Sequence, residues 1–316
     1  MTRLFFATDV HGSERVFRKF INAAKFYKAD TLILGGDITG KIIILLVEQA
    51  DGSYKANFLG SEYKVKTKEE IDLLEKNIRF TGYYPYRTSP DQAAKLESER
   101  EMVDGLFSKL MIDTLGSWIT FAEERLKGSE VRCYISAGND DRYDIDDILN
   151  GSSSVINPEG KVVEIDQYHE MVSTGHSNIT PWNAPRDIPE EELKKKIDSM
   201  VSQLKDVSNS IFNFHCPPIN SVIDSAPKLD KDLRPVVSPA GGFEMISAGS
   251  LAVRNAIEKY QPLLGLHGHI HESKGLFKLK RTLCLNPGSE YTDGVLRGAI
   301  VNLDKKGIQS YQLVSG

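Results

Sequence analysis

Three of the chain's seven histidines stand at alternate positions within residues 265–271, as His267, His269 and His271. In an extended backbone alternate side chains point in the same direction, so these imidazoles can converge on one ligand. Imidazole nitrogen is a common ligand of transition metals, which makes the segment a candidate metal site. Two alternate histidines on a strand are at least as often ordinary hydrogen-bonding groups, so the case depends on what other segments supply.

Further metal-ligating groups follow short apolar runs that have the composition of buried strands. They are Asp9 and His11 after residues 4–7, Asp37 after residues 31–34, Asn139 after residues 131–137, and His215 after residues 210–214. Open α/β sheets place their sites at the carboxyl ends of strands, so we expect these groups to meet. Each is weak alone, because Asp-x-His arises by chance, Asp and Asn are common in turns, and His215 can be a buried, satisfied histidine.

The periodicity around these groups is that of a layered α/β protein. Residues 14–27 carry a helical apolar repeat between the two strands at 4–7 and 31–34, which predicts a βαβ unit. Residues 131–137 are expected to form the third strand of this core. A second sheet is predicted from the later β-like segments, at 210–214, 263–267, 282–285, 298–303 and 308–314. The core is therefore expected to be a sandwich of two sheets with helices outside.

Residues 41–129 interrupt this pattern, and we interpret them as an insertion within a single domain that spans residues 1–316. The insertion begins with β-forming segments that predict a hairpin or a three-stranded flap. A helix is expected at 69–78, followed by an aromatic, proline-broken loop at 83–87 that we expect to pack on the surface rather than stack on a substrate. Pro90 is expected to begin one long helix that Gly128 ends.

Composition narrows the class of protein and its partners. The net charge is −5 and no Lys/Arg stripe is present, which disfavours nucleic acid as a partner. Cys133, Cys216 and Cys284 are widely spaced within apolar segments and fit buried free thiols in a reducing compartment. No apolar run approaches the roughly 20 residues that span a bilayer, so we expect no membrane contact and a cytoplasmic location.

The ordered series Asp-x-His, Gly-Asp, Gly-Asn-x-Asp, His and Gly-His-x-His resembles the calcineurin-like metallophosphoesterase superfamily. The resemblance runs from Leu4 to about Ser289, where residues 286–289 look like the family's closing turn, and it leaves residues 41–129 unexplained. It implies a four-layer αββα sandwich, here with an inserted hairpin-plus-helix cap. It also implies a hydrolase, a phosphatase or phosphodiesterase, in which a metal-bridging hydroxide attacks a soluble phosphomonoester or phosphodiester.

The resemblance implies two divalent transition-metal ions. Asp9, His11 and His271 would hold one ion, Asn139, His215 and His269 would hold the other, and Asp37 would bridge them. Seven oxygen and nitrogen ligands with one shared carboxylate exceed what one tetrahedral metal takes and suit two ions. Manganese is the working expectation, and Fe, Zn, Ni and Co are also compatible with these ligand types.

The chain departs from the family pattern at Asp140, where many members carry a histidine that stabilises the transition state or protonates the leaving group. An ionised carboxylate there would repel a dianionic substrate. One hypothesis is that the substrate has a good leaving group, and another is that Arg142 or His176 supplies the missing positive charge. The candidate catalytic residues are therefore Asp140, Asp141, Arg142 and His176. We interpret His267 and His169 as structural.

Two other functions remain open from the sequence. A metal-binding scaffold for protein interaction would fit Asp140 and the large insertion, although all seven matching positions keep ligand chemistry. A nuclease is disfavoured by the charge of −5 because no electrostatic footprint for a polyanion is visible. The predicted flap would have exposed β edges, which suggest a homodimer surface.

Overall fold

A computed structural model of the chain describes residues 1–239 and 241–316. The helices within these residues are α1 (Glu14–Phe26), α2 (Lys68–Phe80), α3 (Pro90–Ser98), α4 (Arg100–Leu126), α5 (Asp146–Gly151), α6 (Glu190–Val201) and α7 (Leu251–Tyr260). The strands are β1 (Thr2–Ala7), β2 (Thr31–Gly35), β3 (Ile43–Glu48), β4 (Tyr54–Phe58), β5 (Ser61–Val65), β6 (Tyr84–Thr88), β7 (Arg132–Ser136), β8 (Val155–Ile156), β9 (Val162–Glu164), β10 (Glu170–Thr174), β11 (Ile211–Phe214), β12 (Ser225–Pro227), β13 (Met245–Ser247), β14 (Leu264–Leu266), β15 (Gly275–Leu279), β16 (Thr282–Asn286), β17 (Arg297–Asp304) and β18 (Gly307–Ser315).

Two six-stranded sheets form the centre of the fold. The first has the order β18-β17-β1-β2-β7-β8, and β1, β2 and β7 run parallel. The second has the order β15-β16-β14-β11-β10-β9, and β10, β11, β14 and β16 run parallel. The central strands are short, continuous apolar runs because both of their faces are covered.

Three hydrophobic cores lie between the packed layers of helices and sheets. Phe6, Ile33, Met171 and Leu266 belong to a core that joins one face of the first sheet to one face of the second. The opposite face of the first sheet packs on α1 and α4, and the opposite face of the second packs on α6 and α7. The expected α/β sandwich of two sheets is confirmed, with one correction. Residues 298–303 and 308–314, expected in the second sheet, lie in β17 and β18 at one edge of the first sheet, because β17 pairs antiparallel with β1.

The inserted segment differs from the sequence expectation. It forms a four-stranded sheet, β5-β4-β3-β6, and not a hairpin or three-stranded flap, because residues 83–87, expected to be a loop, lie largely in strand β6. This strand pairs in parallel with β3, and α2 provides the crossover that a parallel pair requires. Pro85 is tolerated because β6 is an edge strand. The interpretation of residues 41–129 as an insertion within one domain stays a prediction.

The helical pattern between Pro90 and Gly128 forms two helices, where the sequence predicted one. Glu99 separates α3 from α4 and has an extended backbone, with φ −114° and ψ 93°. The second half of α4 packs its apolar stripe, including Met111, Leu115 and Trp118, on the first sheet. None of the helices in residues 1–239 and 241–316 combines the length and apolar composition that crossing a bilayer requires.

Candidate metal centre

The predicted ligands gather where the carboxyl ends of the parallel strands of both sheets meet. From the first sheet, Asp9 and His11 follow β1, Asp37 follows β2 and Asn139 follows β7. From the second sheet, His215 follows β11, and His269 and His271 follow β14. Strand ends that are distant in sequence thus supply one site because the two sheets are packed face to face.

Asp9, His11, Asp37 and His271 form a first group, in which the ligand atoms all lie within 4.8 Å of one another. The two imidazole atoms His11 Nε2 and His271 Nε2 are 2.9 Å apart. His271 Nε2 is 3.4 Å from Asp9 Oδ1, and His11 Nε2 is 3.6 Å from Asp37 Oδ2. Converging imidazole and carboxylate atoms of this kind suit a divalent transition metal.

A second group shares Asp37 with the first. Asp37, His215 and His269 also offer ligand atoms within 4.8 Å of one another. His215 Nε2 lies 3.4 Å from Asp37 Oδ2, and the amide oxygen Asn139 Oδ1 lies 2.8 Å from His269 Nδ1. The structure therefore brings together all seven residues that the sequence predicted as metal ligands. Six of them form two groups that share Asp37, and Asn139 adjoins the second group through His269.

Hydrogen bonds behind these groups orient two of the ligands. His215 Nδ1 lies 2.9 Å from the carbonyl oxygen of Gly35, and donation to that oxygen directs Nε2 into the site. Within the described residues this buried Nε2 has no hydrogen-bond partner, as expected of an atom that faces an ion. Asn139 Nδ2 donates to Asp187 Oδ1 at 3.0 Å, which turns the amide oxygen toward His269.

Tight turns set the backbone at the site. Four of the seven residues have left-handed φ angles: Asp9 at 54°, His11 at 39°, Asp37 at 50° and His269 at 67°. The glycines of the motifs are required by close approach. A β-carbon at Gly138 would lie 2.2 Å from Asp37 Oδ1, and one at Gly268 would lie 2.4 Å from Asp9 Oδ2.

The two buried carboxylates have opposite pKa shifts. Burial raises the pKa of Asp9, but the hydrogen bond to His271 and the charge of His215 outweigh it and hold that pKa well below its usual range. For Asp37, burial and the charges of Asp140 and Asp9 raise the pKa to about 6, against the opposing effect of His215. A cation beside Asp37 would favour its charged form.

The histidines also differ. Burial lowers the pKa of His215, but Asp37 and Asp9 reverse the effect and raise it to about 10. Burial, together with the charge of His215, lowers the pKa of His269 to about 3. Without a metal, the group therefore holds a proton on His215, and His269 stays neutral.

Asp140 lies beside the site and forms an ion pair with Lys41, a residue that the sequence analysis did not identify. The backbone N–H of Asp140 donates to Asp37 Oδ1 at 3.0 Å. Burial lowers the pKa of Lys41, but the charges of Asp140 and Asp37 raise it overall, so the ammonium stays charged. No local sequence signal links Lys41 to Asp140, because they are brought together only by the fold.

Asp141 holds the turn that contains Asp37. Its buried carboxylate accepts hydrogen bonds from the backbone N–H groups of Gly138, Ile38 and Thr39 and from the Thr39 hydroxyl. Both carboxylate oxygens are thus engaged by the two loops that carry Asp37 and Asn139. We therefore interpret Asp141 as a residue that positions these loops, in place of the catalytic role expected from the sequence.

Arg142 lies outside both ligand groups. Its guanidinium pairs with Asp104 of α4 at 3.0 Å and with Asp144 at 3.7 Å. These acidic partners neutralise the positive charge that we considered as a replacement for the family histidine at position 140.

His176 is buried in a polar cluster next to the site. Its Nδ1 lies 3.2 Å from Glu159 Oε1, and its Nε2 lies 3.3 Å from the Tyr143 hydroxyl. The following residue, Ser177, has its hydroxyl 3.4 Å from His269 Nε2. His176 therefore reaches the ligand groups through its neighbour and not through its own ring, and a catalytic role for it stays a prediction.

The two remaining histidines have partners in the scaffold. His267 Nδ1 lies 2.8 Å from the carbonyl oxygen of Phe214, and His169 Nδ1 lies 2.8 Å from Asp166 Oδ1. The alternating pattern at 267–271 does not place three imidazoles side by side, because β14 ends at Leu266 and His269 has a left-handed backbone.

A cleft of about 440 Å³ opens beside His271. His271 is 29 % exposed, whereas Asp9 and His11 are 1 % exposed, so His271 is the member of this group that faces the cleft. The ring of Tyr291 in the cleft wall lies 4.8 Å from the ring of His11. The wall also contains both charge types, from Lys274, Arg297, Glu272 and Glu290.

Replacing Asp187 by alanine is expected to weaken metal binding at the site by about tenfold to a hundredfold. Asp187 fixes the Asn139 amide and is itself held by the backbone N–H groups of Thr180 and Ala184, both donating to its Oδ2. Calorimetric titration of metal-stripped protein measures the change. Asp187→Asn keeps an acceptor oxygen and should lose less affinity; equal losses in the two variants would count against this orienting role.

Comparisons with known proteins place the fold. No family model matches the chain. An uncharacterized protein of Methanocaldococcus jannaschii, MJ1162, is 34 % identical over 160 residues, which cover 50 % of this chain and 63 % of that protein. The match thus spans less than two thirds of that relative.

Two solved structures match along nearly their whole lengths. One has a TM-score of 0.56 and 14 % identity, covering 99 % of this chain and 98 % of the other. The crystal structure of TT1561 of Thermus thermophilus has a TM-score of 0.51 and 13 % identity, covering 100 % of this chain and 98 % of the other. At 13–14 % sequence identity, the similarity to these structures shows a shared fold and nothing about function. The chain therefore shares its overall fold, two packed sheets with helices outside, with these two solved structures.

Proposed function

We propose that the chain is a metal-dependent phosphoester hydrolase that acts on a soluble phosphomonoester or phosphodiester. The observation that carries the proposal is the pair of ligand groups that share Asp37. A shared carboxylate between two sets of buried ligands is the arrangement expected of a dinuclear hydrolytic centre.

The residues fit two divalent transition-metal ions. Asp9, His11 and His271 would hold one ion, with Asp37 between them and the second set. Asn139, His215 and His269 would hold the other ion. The buried His215 Nε2, which has no hydrogen-bond partner among the described residues, supports this assignment, as does the imidazole, carboxylate and amide composition of the set. Manganese is our working choice among the compatible metals.

Two such ions would supply a nucleophilic water at neutral pH and neutralise charge on the phosphoryl oxygens. The chain's own residues orient the ligands, through Gly35 behind His215 and Asp187 behind Asn139. The cleft beside His271 has room for a substrate group beyond the phosphate. The substrate is therefore proposed to be a small phosphoester, with its ester group in this cleft.

The test is hydrolysis of p-nitrophenyl phosphate and bis-p-nitrophenyl phosphate by metal-stripped protein, with Mn²⁺, Ni²⁺, Zn²⁺ and Mg²⁺ added back separately. We expect turnover only after metal is restored, and the ratio of the two substrates separates monoesterase from diesterase activity. Two ions bound per chain without turnover of either substrate would contradict the proposal and would favour a metal-binding scaffold.

A further inference from the structure

Lys41 stands at the point where the inserted segment leaves the metal centre. It lies two residues before β3, and its ammonium pairs with the carboxylate of Asp140. The side chains of Lys41 and Asp140 are 47 % and 28 % exposed, so both can be reached by a ligand at the site. Asp140 is joined to the ligand shared by both groups, because its N–H donates to Asp37 Oδ1.

Close backbone contacts fix the chain beside Lys41. A β-carbon at Gly82 would lie 2.1 Å from the carbonyl oxygen of His11, and one at Gly40 would lie 2.2 Å from the carbonyl oxygen of Gly82. The Gly40 N–H also donates to the hydroxyl of Tyr84 at 2.8 Å. The backbone on both sides of the inserted segment, at Gly40 and Gly82, therefore packs tightly on the loop that carries His11. This packing fixes the backbone position of Lys41.

The charges of Lys41 and Asp140 affect how the site would bind a phosphate group. An unpaired carboxylate at Asp140 would repel a phosphate group bound at the ligand cluster. The ammonium of Lys41 neutralises it, and an ammonium has three N–H donors, so pairing with Asp140 leaves donor capacity for a phosphoryl oxygen. Lysine is a compact point charge suited to phosphate, in contrast to the guanidinium of Arg142, which is held by Asp104.

We propose that Lys41, delivered by the inserted segment, binds a phosphoryl oxygen of the substrate and that Asp140 positions its ammonium. The proposal rests on the proposed phosphoesterase function and names a residue that gives the site its affinity for the phosphate group. Lys41 is then the contacting residue, and Asp140 acts through it. The inserted segment thus contributes to the site through the Lys41 side chain.

The experiment measures binding of inorganic phosphate by calorimetry to protein loaded with the divalent metal that it binds at two ions per chain. Lys41→Met, Lys41→Arg, Asp140→Asn and the double variant Lys41→Met/Asp140→Asn are compared with the wild type. Lys64→Met is the matched control, because Lys64 lies in the same inserted sheet and pairs with Asp51 at 2.8 Å. Thermal melting of each variant verifies that it is folded.

Lys41→Met is expected to weaken phosphate binding by about tenfold to a hundredfold, the range for a lost hydrogen bond to a charged group. Lys41→Arg should retain most of the affinity, and Lys64→Met should match the wild type. Asp140→Asn should weaken binding when Lys41 is present and strengthen it in the Lys41→Met background, where only the repulsion remains. Both comparisons use phosphate binding and therefore do not depend on turnover.

Unchanged phosphate affinity in Lys41→Met would overturn the proposal. The same effect of Asp140→Asn in both backgrounds would overturn the positioning role of Asp140. Phosphate binding that depends on Lys41 in a protein without turnover would instead contradict the hydrolase function alone, so the two failures are distinguishable.

Discussion

Asp37→Ala is expected to lower phosphoester hydrolysis by at least about a thousandfold. The carboxylate belongs to both ligand groups, so its removal weakens both sites at once. Metal ions contribute several kcal/mol of charge stabilisation in such centres, and each 1.36 kcal/mol is about tenfold in rate. The measurements are kcat/KM for p-nitrophenyl phosphate and the number of ions bound per chain after dialysis.

Asp37→Asn is the matched control because it keeps the shape and one neutral oxygen ligand. It should retain more bound metal than the alanine variant. Circular dichroism establishes that both variants fold. If Asp37→Ala keeps two ions and the wild-type rate, the shared-ligand assignment is wrong.

The metal-free protein is expected to lose stability as the pH rises from 6.5. The pKa of His215 is raised to about 10 in the folded state, so the folded chain holds a proton that the unfolded chain releases near pH 6.5. The stabilisation is complete below pH 6.5 and is lost as the pH rises through 10, with a slope of up to about 1.4 kcal/mol per pH unit. His271, whose pKa is also raised, acts with the same sign.

Urea denaturation of metal-stripped protein between pH 6.5 and 8.5 measures this slope. His215→Asn removes the titrating group and should flatten it. Bound metal requires a neutral His215, so metal affinity should rise with pH by up to about tenfold per unit over the same range. Affinity independent of pH, with no protons released on binding, would contradict the assignment of His215 as a ligand.

The gathering of the seven candidate ligands could be predicted from the sequence because each lies within five residues after an apolar strand, and strand ends are local features. The packing of two sheets then brought Asp9 and His271 together without any further sequence signal being needed. Strand β6 was predicted as a loop because Pro85 interrupts its aromatic residues, and only pairing with β3 makes it a strand. Pairing of this kind is not encoded in the neighbouring residues.

The residues that support the ligands escaped prediction for the same reason. Asp187 and Lys41 are 48 and 99 positions from Asn139 and Asp140 in the chain, and neither forms a motif with its partner. Asp141 was assigned to catalysis from its neighbours in the chain. Its carboxylate instead accepts hydrogen bonds from backbone N–H groups that only the fold brings near. Residue type and spacing thus identified candidate ligands but not the groups that hold them.

The left-handed backbone at four proposed ligands bears on how such a centre changes over evolutionary time. Among residues with a β-carbon, Asp, Asn and His are the types enriched at these φ angles. The same types offer the oxygen and nitrogen atoms that divalent ions take. Turn geometry and coordination therefore favour the same few residue types, Asp, Asn and His, at positions 9, 11, 37 and 269. Genetic drift at these positions would be opposed by the backbone even in a descendant that had ceased to use the metals.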